Sequence, residues 1–325
     1  MIRAESSAIL VDTGFPYYGK TLAKELKESL NGLPLCGILI THSHYDHAGG
    51  LARVKAAFPD AIVYAAAHAR DILQRESALR AMRELNRTAA ALAGAAFGAS
   101  GEDADDYDIN RTAEALSGVV FEAPDEDAND YDINRTAAAL SGEAFEAPDE
   151  DVGGYTIDCT PGDGDRIHIG DFFFEVWETP GHTNDSLSYW FPGEGLLILS
   201  ETTGVMLKRK PMTVEPAFIV SWKSSVAAVE RAERARPQTI VLPHTGGLSG
   251  ADVEEYFQKQ KEAIIETKEL VFRLTDEGKP ESEILSEIQS RYYDQRSASL
   301  KACQPISAFL LNFKEMIPRL LKEGP

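Results

Sequence analysis

Short apolar runs alternate with amphipathic stretches through the first part of the chain. The apolar runs predict strands over Ala8–Asp12, Leu35–Thr41 and Ala61–Tyr64. Between them, apolar residues recur with helical spacing from Lys20 to Leu30 and from Gly49 to Ala57. Strands that alternate with helices in this way are typical of an α/β domain.

A second group of short apolar runs begins near residue 166. It predicts five more strands: Arg166–Ile169, Phe172–Trp177, Ser186–Phe191, Leu196–Ser200 and Thr239–Leu242. A helix is predicted over Ser224–Ala235, and three more helices follow from Ala251 onward. These last three are Val253–Thr275, Glu281–Tyr293 and Ile306–Leu321. Their apolar faces need partners, so we expect them either to cap a functional site or to form a homodimer interface.

Between the two groups of strands, residues 86–157 are three copies of a 24-residue unit. The copies begin at Asn86, Asn110 and Asn134, and each has an Ala-rich half and an acidic half. The segment holds 17 acidic and three basic residues. The few apolar residues per copy are mostly alanine, so a solenoid is disfavoured. We interpret the segment as an insertion that enlarges a lid or is simply tolerated at the surface, since loop closure entropy grows slowly with length.

The composition excludes several classes of protein. The chain has 325 residues and a net charge of −20, of which the repeats carry −14. This acidity argues against a nucleic-acid partner. No apolar run is long enough to span a membrane, and residues 1–7 lack the apolar core of a signal peptide. Three widely spaced cysteines predict no disulfide framework. We therefore expect a cytoplasmic protein that acts on a small molecule.

The chemistry is concentrated in His42-Ser-His44-Tyr-Asp46-His47, which follows the predicted strand Leu35–Thr41. Side chains two residues apart in an extended segment point the same way. His42 and His44 can therefore bind one metal ion, and Asp46 and His47 can bind a second one nearby. Imidazole and carboxylate ligands without thiolates favour Zn²⁺, with Fe or Mn as alternatives.

Three further candidate ligands come directly after predicted strands. They are His182, Glu201 and His244. Loops at strand ends are where an α/β scaffold collects functional groups from distant parts of the sequence. His68 and His168 lie in no such context, and we interpret both as structural.

This series of motifs resembles that of the metallo-β-lactamase-fold hydrolase superfamily. The resemblance includes Asp12-Thr13-Gly14 and covers roughly residues 8–85 and 158–250. It implies an α/β fold, a four-layer αββα sandwich, here with the inserted acidic repeats and a C-terminal helical extension. The implied domains are residues 1–85 with 158–250, the insertion 86–157 and the extension 251–325.

The resemblance also implies two metal sites. His42, His44 and His182 would form the first site, and Asp46, His47 and His244 the second. The family usually has a Gly-Asp pair that supplies a bridging carboxylate, whereas this chain has Ser200-Glu201. Family members also usually have one or two strands before the Asp-Thr-Gly strand. Only seven residues precede Ala8 here, so the first sheet is expected to lack an edge strand or the chain to be truncated at its start.

Two metal ions predict hydrolysis by a metal-bound hydroxide, with Asp46 orienting the nucleophile and passing a proton to the leaving group. The expected substrate is a small ester, lactone, thioester or phosphoester. The main alternative is a regulatory protein of the same fold that works by binding a partner. A nucleic-acid phosphodiesterase is disfavoured by the acidity. A diiron redox protein is disfavoured because those proteins usually carry Glu at the position of His44.

Overall fold

The computed structural model of the protein describes residues 1–83, 86, 155–297, 300–301 and 304–325. The repeats, apart from residues 86 and 155–157, lie outside this part of the chain, and their role as a lid stays a prediction. The two ends of the insertion contact the domain. Asn86 accepts a hydrogen bond from the backbone N–H of Tyr17 at 2.8 Å, and the Tyr155 hydroxyl donates to the carbonyl of Gly49 at 3.2 Å.

The strands form two main sheets and a hairpin. The first sheet has the order β1-β2-β3-β4, and β2, β3 and β4 are parallel. The second sheet has the order β12-β11-β8-β7-β6-β5, and β9 pairs with β10. The strands are β1 Ile2–Arg3, β2 Ala8–Val11, β3 Leu35–Leu39, β4 Ile62–Tyr64, β5 Arg166–Ile169, β6 Phe172–Glu178, β7 Leu187–Phe191, β8 Leu196–Ile198, β9 Val205–Arg209, β10 Met212–Glu215, β11 Thr239–Leu242 and β12 Gly246–Ser249.

Helices cover the outer face of each sheet. The described residues of the first half include α1 Gly19–Leu30, α2 Tyr45–Ala48, α3 Leu51–Ala57 and α4 Ala67–Leu73, and residues 76–83 are also helical. Four more follow in the second half: α5 Trp222–Arg234, α6 Ala251–Asp276, α7 Glu281–Arg291 and α8 Ile306–Glu323. Short 3-10 turns lie at Pro16–Tyr18, Glu201–Thr203 and Tyr293–Gln295.

Side-chain alternation along the strands builds three apolar layers. In β3 and β8, Leu39 and Ile198 face the other sheet and form part of the core between the sheets. Their neighbours Ile38 and Leu197 point outward, against the helices on each side. Because both faces of these strands are buried, the strands read as continuous apolar runs. The result is the four-layer αββα sandwich that the family resemblance implies.

The helices of the C-terminal extension pack on the second sheet. Ile264 and Val271 of α6, Ile288 of α7 and Phe309 of α8 all belong to the core layer outside that sheet. The extension is therefore continuous with the core of the sandwich, and a homodimer through these helices stays a prediction. None of the helices in the described ranges is both long and apolar enough to cross a membrane.

Candidate metal centre

Four strands of the two sheets deliver candidate ligands to one edge of the sandwich. In the second sheet, β6 and β8 run in the same direction because both are antiparallel to β7, and β11 is parallel to β8. Their carboxyl ends therefore meet at one edge, where His182, Glu201 and His244 follow. The carboxyl end of β3 supplies the remaining ligands, residues 42–47, to the same place.

The residues predicted for the first metal site lie together. His42, His44, His182 and Glu201 each offer a ligand atom, and these atoms lie within 4.8 Å of one another. His182 Nε2 is 3.1 Å from His44 Nδ1 and 3.1 Å from Glu201 Oε2. All four side chains thus direct a potential metal-ligand atom toward one point.

The residues predicted for the second site form an adjacent group. Ligand atoms of Asp46, His47 and His244 also lie within 4.8 Å of one another. Glu201 lies between the two groups. Its Oε2 is 3.6 Å from the Nε2 atoms of both His42 and His47, and its Oε1 is 3.7 Å from His244 Nε2. This position fits the bridging role implied by the resemblance, which stays a prediction.

Hydrogen bonds fix the tautomer of His42. The Asp12 carboxylate accepts hydrogen bonds from the backbone N–H and the hydroxyl of Thr41, both at 2.8 Å. Since the Thr41 hydroxyl has only one proton, it can only accept from His42 Nδ1, which is 3.1 Å away. His42 therefore carries its proton on Nδ1, and the lone pair on Nε2 faces the site.

The same argument applies to two other histidines. His47 Nδ1 is 2.8 Å from Asp12 Oδ2, and His182 Nδ1 is 2.6 Å from the carbonyl oxygen of Ala217. A carboxylate and a carbonyl can only accept, so both Nδ1 atoms donate. Metal-ligating histidines usually donate their second ring N–H to such a group, which fixes the ring and increases its basicity.

The buried nitrogen atoms test whether a metal fits here. The Nε2 atoms of His42 and His47 are buried and have no hydrogen-bond partner among the described residues. Leaving a buried polar atom unsatisfied costs about 1–3 kcal/mol. A metal ion at this point would satisfy both atoms, and the imidazole and carboxylate donors are those that Zn²⁺ prefers. The residues therefore fit a metal centre.

The electrostatics of the cluster are those of closely packed ionisable groups. Burial and the neighbouring imidazoles of His47 and His44 hold the pKa of His42 well below its usual value, which keeps its lone pair available. Burial alone lowers the pKa of His47, but the carboxylates of Asp46 and Asp12 outweigh it and raise that pKa well above the usual value. At His47 a metal ion would therefore displace a proton.

Tight backbone packing places His182. Gly181 has a φ of 148°, and a Cβ there would lie 2.3 Å from the Ser225 hydroxyl oxygen. The Gly181 carbonyl also accepts hydrogen bonds from the backbone of residues 219–221, the segment that follows Ala217. Only glycine fits this close approach, and it keeps His182 next to the carbonyl that orients it.

Asp12 is a candidate site residue that sequence reasoning left without a role. It belongs to the recognised Asp-Thr-Gly motif, but its contact with His47 spans 35 positions and no local pattern indicates it. Asp12 has a left-handed backbone with a φ of 53°. This conformation presents its carboxylate to Thr41 and His47 together, and Asp and Asn tolerate it better than most residues.

Replacement of Asp12 by Asn is therefore expected to preserve the fold but weaken metal binding. The variant keeps the left-handed backbone and one acceptor oxygen, but it loses the charge that supports His47. Loss of such a supporting group typically costs 10–100-fold in metal affinity. Competition with a chromophoric chelator measures the affinity. Asp171→Asn is the control, because the Asp171 carboxylate accepts hydrogen bonds from Ser6 and Ser7, away from the site. Equal affinity in both variants would contradict the role given to Asp12.

Comparison with known proteins supports the fold. The family model of the metallo-beta-lactamase superfamily matches residues 1–244. Among solved structures, a metallo-beta-lactamase family protein from Thermus thermophilus is similar over 99% of this chain and 87% of its own, with 18% identity and a TM-score of 0.55. A sec-alkylsulfatase from Pseudomonas sp. is similar over 100% of this chain and 49% of its own, with 17% identity and a TM-score of 0.52. At these identities the two structures show a shared fold.

A shorter similarity links the chain to curated proteins. Hydroxyacylglutathione hydrolases from Methylobacterium sp. (strain 4-46) and Methylobacterium nodulans are 33% and 34% identical over 67 residues. Each match covers 21% of this chain and 26% of the relative. The chain thus matches about a quarter of the length of these relatives.

Proposed function

The chain belongs to the metallo-β-lactamase superfamily, and from that premise we propose that it is a metal-dependent hydrolase of a small ester, thioester, lactone or phosphoester. The proposed cofactors are two Zn²⁺ ions, with Fe or Mn as alternatives. The first ion would be held by His42, His44 and His182, and the second by Asp46, His47 and His244, with Glu201 between them.

The observation that carries this proposal is the convergence of imidazole nitrogens that are held in fixed orientations. His42, His47 and His182 donate their Nδ1 protons to fixed acceptors, and each Nε2 faces the Glu201 carboxylate between the two ligand groups. A polar loop that contained histidines by chance would not bury the Nε2 atoms of His42 and His47 without hydrogen-bond partners among the described residues. Burial of this kind is costly in the absence of an ion.

Metal ions at this site would lower the pKa of a coordinated water to about 7 and polarise the bond to be cleaved. Asp46 is the proposed catalytic residue. Its Oδ2 lies 3.8 Å from the Nε2 atoms of both His47 and His244, and its side chain is only 13% exposed. From there its carboxylate would orient the attacking water, accept its proton and return that proton to the leaving group.

Thioesters are the first substrates to test, since the curated relatives are named as hydrolases of hydroxyacylglutathione. We expect purified protein to hold close to two metal ions per chain by elemental analysis. We also expect it to hydrolyse at least one member of a panel of esters, thioesters, lactones and phosphodiesters. Chelation should remove the activity and Zn²⁺ should restore it. Protein that binds metal but hydrolyses nothing, and that co-purifies with a partner, would instead support the regulatory alternative.

A further inference from the structure

The segment between β10 and α5 holds both the ring of His182 and the backbone that precedes it. Its Ala217 carbonyl accepts the hydrogen bond from His182 Nδ1 at 2.6 Å. Its backbone N–H groups at residues 219–221 donate to the carbonyl of Gly181, at distances from 2.9 to 3.3 Å. A shift of this segment would therefore move the His182 ring and the adjoining backbone together.

Ser221 connects this segment to the start of α5. It is the N-cap residue, and its Oγ accepts a hydrogen bond from the backbone N–H of Ser224 at 3.0 Å. The first N–H groups of a helix have no partner within the helix and need acceptors from outside it. The N–H of Ser221 itself finds such an acceptor in the carbonyl of Gly181. The start of α5 is thus bonded directly to the residue that precedes His182.

Glu323, the last residue of α8, supplies further acceptors at this helix start. Its Oε1 accepts from the Ser221 hydroxyl at 2.6 Å, and its Oε2 accepts from the backbone N–H of Trp222 at 3.0 Å. The Glu323 side chain is half-buried, and a negative charge is favoured at a helix N-terminus. Because the Ser221 hydroxyl gives its only proton to Glu323, its oxygen lone pairs are left for Ser224.

A continuous series of hydrogen bonds therefore leads from α8 to the candidate metal centre. Ser221 binds Glu323 through its hydroxyl and Gly181 through its backbone N–H. Helix α8 lies beyond residue 244, where the match to the family model ends. The extension thus reaches the site through defined polar contacts as well as through the apolar core.

We propose that Glu323 is a positioning residue for the metal centre. By holding Ser221 and Trp222, it fixes the segment before α5 and so keeps His182 in the orientation in which it binds the first ion. The effect is indirect, because it passes through the backbone of that segment. The inference rests on the proposed function, since it takes His182 as a ligand of this ion.

Glu323→Gln tests the role, because glutamine offers one acceptor oxygen to two donors. The Zn²⁺ affinity of the full chain, measured by competition with a chromophoric chelator, is expected to fall about threefold to tenfold. This is less than the 10–100-fold loss that is typical of a group in contact with a ligand, since Glu323 acts through other residues. Glu315→Gln is the matched control. Glu315 pairs with Arg319 on the same helix at 3.4 Å, so its replacement should leave the affinity unchanged.

Hydrogen exchange reports on the segment without any metal. Mass spectrometry in the presence of a chelator follows the backbone amides of residues 217–222. These amides are expected to exchange about tenfold faster in Glu323→Gln, because hydrogen bonds to a charged group are lost there. Exchange in Glu315→Gln should match the wild type. Equal exchange in the wild type and Glu323→Gln would show that Glu323 does not hold the segment, and would overturn the inference.

Two further variants separate positioning from general stability. Ile288→Val shortens a fully buried residue of α7 in the same core layer. It should lower the melting temperature at least as much as Glu323→Gln does, but leave the Zn²⁺ affinity unchanged. Ser221→Ala combined with Glu323→Gln should weaken Zn²⁺ binding by less than the product of the two single effects, because both changes remove the same contact.

The outcomes distinguish this inference from the proposed function. Metal-loaded protein that binds Zn²⁺ equally well in the wild type and Glu323→Gln would overturn the role of Glu323 and leave the hydrolase intact. The same follows if Ile288→Val weakens Zn²⁺ binding as much, or if the effects of Ser221→Ala and Glu323→Gln simply multiply. Wild-type protein that holds no metal under any condition would instead overturn the proposed function, on which this role depends.

Discussion

His42→Ala is expected to lower kcat/KM for any hydrolysed substrate by more than about 100-fold, since even supporting groups around a metal cost 10–100-fold when they are lost. His42 is fully buried, and its Nε2 has no hydrogen-bond partner among the described residues. The fixed Nδ1 proton leaves this Nε2 as the atom that can bind an ion. Elemental analysis should show that the variant retains about one ion fewer per chain.

Thermal unfolding gives a second readout for the same variant. An ion that binds only the folded protein stabilises it by about 2.7 kcal/mol when its concentration is 100 times Kd. Wild-type protein should therefore melt several degrees higher with Zn²⁺ than with a chelator, and His42→Ala should lose most of this difference. His168→Ala is the control, because His168 is exposed on β5 and belongs to neither ligand group. Unchanged turnover and metal content in His42→Ala would remove it from the site.

Arg296→Met is expected to reduce the free energy of unfolding by about 3–5 kcal/mol, which is the usual effect of removing one partner of a buried ion pair. Arg296 Nε donates to Glu215 Oε2 at 2.8 Å, and a second bond joins Nη2 to Oε1. The guanidinium also lies 4.9 Å from the ring centroid of Phe309. The variant would leave the Glu215 carboxylate buried without its cation. Urea unfolding measures the change.

A double variant separates the ion pair from simple packing. Replacement of both Arg296 and Glu215 by Met should restore at least half of the lost stability, because apolar residues of similar volume often replace a buried pair at little cost. The surface pair of Arg209 and Asp252 is the reference. Arg209 is 55% exposed, so Arg209→Met should cost less than about 1 kcal/mol. If Arg296→Met and Arg209→Met cost the same, the buried pair does not stabilise the docked extension.

Much of the fold could be predicted because the strands carry their own signal. Apolar runs in β3, β6, β8 and β11 predicted both the strands and the loops that carry the candidate ligands. Two predicted strands were too long by two residues, for a physical reason. The backbone N–H of Thr41 donates to the Asp12 carboxylate and that of Ser200 to the Ser188 hydroxyl. In both places a side-chain oxygen accepts the hydrogen bond from the backbone N–H, so a carbonyl of a neighbouring strand does not, and the strand ends.

The remaining features depend on contacts between distant residues, which the sequence pattern does not contain. Strand β12 begins with two glycines and has no alternation to recognise. The pairing of Glu215 with Arg296 spans 81 positions. The acceptor for His182 is the backbone carbonyl of Ala217, which any residue would provide. Sequence reasoning can therefore name candidate ligands that the fold brings together, but it cannot name the groups that orient them.

The candidate ligands come from both halves of the chain, and this affects how fast the protein folds and unfolds. His42 and His44 follow the first sheet, whereas His182 and Glu201 follow the second, and the insertion separates them in sequence. In folding, the two halves must meet across the insertion, and a connection of 72 rather than 24 residues adds only about 1 kcal/mol of closure entropy. In unfolding, an ion held by both halves must be released before they separate. A metal ion bound at this centre would thus lower the rate of unfolding and lengthen the lifetime of the folded state.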